Sequence, residues 1–149
     1  METNVPAALN LPPVDQVGFV VKDIKAAIAL YEPAFGPFSE MDAPDMEWDY
    51  RGRPEMSSLK LAFGKSGDVE IELIQWVSGE TPHKEFLDAG REGMHHLRFR
   101  VDDHDAALAR CQALGYRAIW QMQMGDIAFS YLEREGDPLL LELLQMPAD

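Results

Sequence analysis

Gln16, Glu72, His96 and Glu142 could together hold a divalent metal, and they fall at positions related by an internal repeat. A neutral imidazole and two carboxylates suit zinc, cobalt, manganese, iron or nickel; the amide oxygen is a weaker fourth donor, and the two carboxylates balance the ion's charge. Glu142 is the most telling of them. It stands among Leu139, Leu140, Leu141, Leu143 and Leu144, in a segment otherwise written as core. An unpaired carboxylate there is costly, so it must be protonated, ion-paired or metal-bound. A metal that binds two substrate oxygens lowers the pKa of an adjacent C–H and stabilises the enolate, and Glu142 or Glu72 could serve as the base on that carbon. Return of the proton then gives epimerisation or isomerisation. Arg98 and Arg100, further along the same segment as His96, could bind an anionic part of the substrate, or could instead pair with Glu70 and other acids.

These residues need strands that face one another, and the chain supplies them twice. Residues 14–23 alternate as a strand and run into an amphipathic helix from Ile24; residues 95–103 and His104 onward repeat the pattern. Phe19/Phe99, Val21/Val101, Asp23/Asp103 and Ala27/Ala107 are matched pairs. Asp23 and Asp103 are placed to cap the helices, and Gly36 and Gly115 to stop them. The closing strand of each unit, 67–75 and 136–145, ends on a matched glutamine, Gln75 or Gln145. Two further strands precede each closing strand: 46–50 with 59–63, and 117–123 with 127–131. Gln16 thereby matches His96, and Glu72 matches Glu142. Alternation puts Val17, Phe19 and Val21 under one helix and Leu97, Phe99 and Val101 under the other. Gln16, Gly18 and Val20 then share the opposite face, as do His96, Arg98 and Arg100, while His95 should point toward the helix. The expected fold is α+β: a flexible arm (1–13), a first βαβββ module (14–79), a helical linker (80–92) and a second module (93–149), all in one structural domain.

Composition limits the partners. The 149 residues carry 13 Lys+Arg against 26 Asp+Glu, a net charge of −13, which disfavours nucleic acid and anionic membranes. Cys111 is the only cysteine, so neither an internal disulfide nor a cysteine-rich zinc site can form. The first 13 residues lack the basic start of a signal peptide, and no apolar run is long enough to span a bilayer, so the expected location is the cytoplasm. The eight methionines and three tryptophans could line a cavity for a bulky ligand or fill the core and an interface.

The chain resembles the vicinal oxygen chelate superfamily, the glyoxalase, bleomycin resistance and dioxygenase group, from Val14 to Gln145. The most specific match is the segment from Gly90 to Asp103, with Glu85 to Asp88 before it, which is similar to the approach to the second metal histidine in methylmalonyl-CoA epimerases. The resemblance implies two βαβββ modules curled into an eight-stranded cup around one divalent ion, with ligands on the first and last strands of each module: Gln16, Glu72, His96 and Glu142. It also implies a homodimer and a small-molecule substrate. Gln16 departs from the epimerases, which carry histidine there, and gives the Gln/Glu/His/Glu set of zinc glyoxalase I. The arginines that grip glutathione in that enzyme are replaced by Val20 and Glu92. The expected function is proton transfer next to the carbonyl of an acid or acyl thioester. The alternatives are a lactoylglutathione lyase of the glyoxalase type and a metal-free binding protein of the bleomycin-resistance type.

Overall fold

The computed structural model describes residues 8–148. The first module holds β1 (Gln16–Val20), α1 (Ile24–Phe35), β2 (Ser39–Tyr50), β3 (Arg53–Ser66) and β4 (Val69–Ser78). After α2 (Pro82–Asp88), the second module repeats the order with β5 (Gly93–Arg100), α3 (His104–Ala113), β6 (Tyr116–Met124), β7 (Ile127–Arg134) and β8 (Asp137–Gln145). The strands form one ring in the order β1-β4-β3-β2-β6-β7-β8-β5. β1 and β5 run antiparallel side by side, and each pairs in parallel with the closing strand of its own module, β4 or β8. The four donors of the sequence reading therefore lie on four consecutive strands.

The same local devices start both helices. Asp23 and Asp103 accept from the backbone N–H of Ala26 and Ala106 at 3.2 and 3.1 Å. Gln75 and Gln145 reach back from the closing strands to accept from the N–H of Ile24 and His104 at 2.9 and 2.8 Å. Each helix start is thus tied to the strand that carries a glutamate of the site, and two N–H groups that the helix leaves unpaired are satisfied. Gly115 ends α3 in the left-handed region at φ +92, where an L side chain is strained.

Three packed clusters follow from the alternation. Val21, Ile24, Ala27, Ala62 and Leu73 bury α1, and Val101, Ala107, Cys111, Leu132, Leu141 and Leu143 bury α3. Val20, Tyr50, Leu61, Ile74, Trp120 and Tyr131 belong to the third, which fills the ring and takes in Phe86 of α2. The tryptophans are inside: Trp48 stacks on Trp120 with ring centres 4.0 Å apart. Met41, Met56 and Met124 are exposed instead. Of the N-terminal arm, residues 1–7 lie outside the described residues. Leu9 and Leu11 pack against the α3 cluster, where Arg110 donates to the Leu9 carbonyl at 2.8 Å.

β2 is much longer than the sequence suggests. Its acidic residues and Pro44 are poor strand formers, yet the ladder to β3 runs from Ser39 to Tyr50. The ladder skips Pro44 and Asp45, since register shifts between Ala43 and Met46 and the missing proline N–H falls at that irregularity. The ring closes over two residues, Asp49 opposite Gln121 and Tyr50 opposite Trp120. Beside this seam Arg51 of the first module binds Glu85 of α2 at 2.8 Å and Glu133 of β7 at 3.0 Å.

Candidate metal centre

The side chains around His96 decide what the fold can do. Gln16, Glu72 and Glu142 all turn toward this one imidazole from β1, β4 and β8, and the four residues are buried, with exposures between 0% for His96 and 9% for Glu72. From His96 Nε2 the distances are 3.0 Å to Glu142 Oε1, 3.2 Å to Gln16 Oε1 and 3.5 Å to Glu72 Oε1. Donors bound to a metal at about 2.0–2.2 Å stand about 2.8–3.1 Å apart along an octahedral edge and about 3.3–3.6 Å apart in a tetrahedron. The 3.0 Å of Glu142 is an octahedral edge and the 3.5 Å of Glu72 a tetrahedral one, while the 3.2 Å of Gln16 lies between the two ranges. His, Cys, Asp and Glu groups alone do not gather into a metal cluster among the described residues. The Gln16 amide completes the set, and Glu72 is its outlying member. These oxygen and imidazole donors fit a divalent ion of the zinc, cobalt, manganese or nickel kind.

Burial and charge compete at this point. Burial pulls the His96 imidazolium down, but the Glu142 and Glu72 carboxylates outweigh it and raise the pKa to about 9. Burial raises Glu142, against the pull of His96. Without a metal, an imidazolium therefore neutralises part of the carboxylate charge.

Neighbouring groups orient each neutral donor. Gln16 Nε2 donates to Glu70 Oε1 at 2.7 Å, which turns the amide oxygen toward His96. His96 Nδ1 lies 3.0 Å from Nδ1 of His95. The backbone beneath the ring is bare: a Cβ at Gly18 would lie 2.1 Å from His96 Cε1. Gly18 has no positive φ, so glycine is required here for space and not for conformation. Aromatic residues of the preceding strands stand opposite the glutamates, Phe63 across from Glu72 and Tyr131 across from Glu142. The Tyr131 hydroxyl is 2.9 Å from Nε2 of His83, which lies in α2.

Arg98 sits next to the donors but is engaged. Its guanidinium binds both oxygens of Asp15, at 2.9 and 3.1 Å, and lies 3.7 Å from Glu70. Arg100 is exposed and borders an outer groove with Asp102, Asp126 and Gln145. The expected direction of His95 is wrong. A β-bulge pairs Gly18 with His96 and Phe19 with Met94, leaving His95 as the extra residue, so its ring turns inward instead of toward α3. Sequence reading also missed Asp15 as the partner of Arg98 and Glu70 as the partner of Gln16. Glu70 could have been found, because it shares a strand face with Glu72.

A second polar cluster has the outline of a hydrolase triad. His104 Nε2 is 2.7 Å from Ser130 Oγ, and its Nδ1 is 3.2 Å from Asp105 Oδ1. Ser130 is wholly buried under α3 and Asp105 is 93% exposed at the side chain, so no substrate carbonyl can meet this serine. The matched positions of the first module are Ile24 and Ala62, which fill the same helix–sheet contact with carbon. His104 and Ser130 are packing.

An eight-stranded ring of two βαβββ units, with its donors on the first and last strands of each, is the architecture of a vicinal oxygen chelate protein. Residues 15–131 match the family model of the Glyoxalase/Bleomycin resistance protein/Dioxygenase superfamily, and the chain belongs to that family. The matched stretch holds Gln16, Glu72 and His96; Glu142 follows it. Two uncharacterized proteins of Bacillus subtilis (strain 168) are similar. YwbC is 31% identical over 107 residues, covering 71% of this chain and 74% of YwbC. YqjC is 28% identical over 86 residues, covering 58% of this chain and 55% of YqjC, so the match spans about half of that relative. Methylmalonyl-CoA epimerase from Mycobacterium tuberculosis superposes with a TM-score of 0.65 at 22% identity, covering 98% of this chain and 95% of the epimerase. At that identity the likeness is one of fold.

Proposed function

We propose that the protein is a metal-dependent proton-transfer enzyme, of the epimerase or isomerase type, acting on the carbon next to a carbonyl in an acid or acyl thioester. The observation that carries this reading is the convergence of Gln16, Glu72 and Glu142 oxygens on His96 Nε2 at 3.0 to 3.5 Å. A divalent ion held by these four residues would supply a Lewis acid for two substrate oxygens. Glu142 is the base: its burial favours the protonated acid, so it takes a proton from carbon more readily than a solvated carboxylate would. Glu72, 3.5 Å from the same imidazole nitrogen, would serve as the second base. Arg98 would exchange Asp15 for an anionic group of the substrate, with Arg100 further along the same strand at the rim. The epimerase likeness and the epimerase-like segment before His96 support a coenzyme A thioester as the substrate class. The donor set itself, with an amide oxygen in place of a second imidazole, favours the lyase as the second reading.

The test is isotope exchange in heavy water with metal-loaded protein. We expect rapid deuterium entry at the α-carbon of an acyl thioester, lost in Glu142→Gln. Turnover of the methylglyoxal–glutathione adduct with no exchange into thioesters would replace this reading with the lyase.

A further inference from the structure

His95 is spent on an irregularity. A strand that simply continued through this point would turn His95 toward α3 and take its ring away from Nδ1 of His96. The bulge puts two imidazoles inside, with ring centres 5.3 Å apart and planes at 88°. Phe86 edges onto the His95 ring at 4.9 Å, and His83 lies 5.3 Å away, so α2 fixes the ring from behind.

We propose that His95 is a positioning residue that holds His96 in the one tautomer able to bind metal. This inference rests on the metal-centre reading above. His96 Nε2 faces the three oxygens, so a ligating His96 needs its lone pair at Nε2 and its proton at Nδ1. The Nδ1–Nδ1 separation of 3.0 Å makes that proton a donor to His95, whose Nδ1 must then be bare. The Pro82 backbone favours a proton on the His95 ring, and with Nδ1 turned to His96 that proton goes to Nε2. The order is His96 Nδ1–H to His95 Nδ1, then His95 Nε2–H toward the Pro82 backbone. Each imidazole has one donor and one acceptor in use. The first residue of the linker helix thus specifies which nitrogen of the ligand is free.

Two measurements test this. In metal-free, 15N-histidine-labelled protein held above about pH 9, where His96 is a neutral imidazole, we expect scalar coupling across the hydrogen bond between His95 Nδ1 and His96 Nδ1, with the proton on His96. Absence of the coupling, or a bare His96 Nδ1, overturns the proposal. Cobalt titration followed by absorption should show His95→Phe weakening the affinity by roughly 10- to 100-fold, the usual range for losing a partner of a ligating histidine. His95→Gln, whose side-chain oxygen can accept the same proton, should stay within about threefold of wild type. Equal affinity in the phenylalanine variant, with the fold intact by circular dichroism, also overturns it. If wild-type protein takes up no cobalt, the metal-centre reading fails, and the coupling alone decides whether His95 directs the His96 proton.

Discussion

Gly18→Ala should damage the centre without touching a donor. The added Cβ would lie 2.1 Å from His96 Cε1, 2.4 Å from Nε2 and 2.6 Å from Nδ1. Carbon contacts become comfortable at about 3.5 Å, so the ring must retreat by about 1.4 Å. Its way back is blocked by the Tyr131 ring, centred 4.8 Å away, and by His95. The 3.0 and 3.2 Å contacts to Glu142 and Gln16 would then be lost. Overpacking costs about 1–3 kcal/mol, and a broken hydrogen bond to a charged group about 1.5–3 kcal/mol. We expect a loss of about 3 kcal/mol, which for a domain of this size lowers Tm by about 6–12 °C. Cobalt affinity should fall with it. Differential scanning calorimetry on Gly18→Ala, His96→Ala and the double variant isolates the clash: in the His96→Ala background the methyl added at position 18 should cost less than about 1 kcal/mol, since the ring is gone. A Tm within about 2 °C of wild type, or the same cost in both backgrounds, would refute the reasoning.

Arg51→Ala should lose about 1–2 kcal/mol by releasing Glu85 and Glu133 at the seam, and the difference from wild type should shrink in about 1 M salt; no salt dependence in urea melts counts against an ionic clasp. Burial, and then the charge of His96, lower the His83 pKa to about 3. The unfolded chain takes up that proton near pH 6.5, so stability falls by about 1.4 kcal/mol per pH unit as pH drops from about 6.5 to 3. His83→Phe should remove about one proton from the pH slope of unfolding, and an unchanged slope would contradict a neutral buried imidazole. Below about pH 9, metal must displace the His96 proton, so cobalt affinity should rise with pH, with proton release measurable by calorimetry in buffers of different ionisation enthalpy.

The repeat was the most legible part of the chain, because apolar alternation and the capping aspartates are local signals that recur in the same order. Matching the two units brought Gln16, Glu72, His96 and Glu142 to related places before any contact was known. What stayed hidden depends on non-local pairing. The acidic run before Trp48 looks like a loop until β3 supplies hydrogen bonds for it. Alternation fails at His95 because a bulge is a property of two strands, and nothing in the His-His pair announces which residue Gly18 will face. Alternation over 14–23 puts Asp15 on the face of Val17, away from Arg98, but the strand begins only at Gln16, and Asp15 before it is free to turn to that guanidinium.

The antiparallel contact of β1 with β5 has an evolutionary consequence. A half-length chain, pairing with a second copy of itself across that contact, would build the same frame, but every donor would then occur twice about a dyad. Joining the halves frees each to drift alone. An amide can stand opposite an imidazole, and Ile24 with Ala62 can have His104 with Ser130 as counterparts, without the change being imposed on its twin. The centre of this protein is therefore open to revision one ligand at a time, a liberty that a self-paired ancestor could not have had.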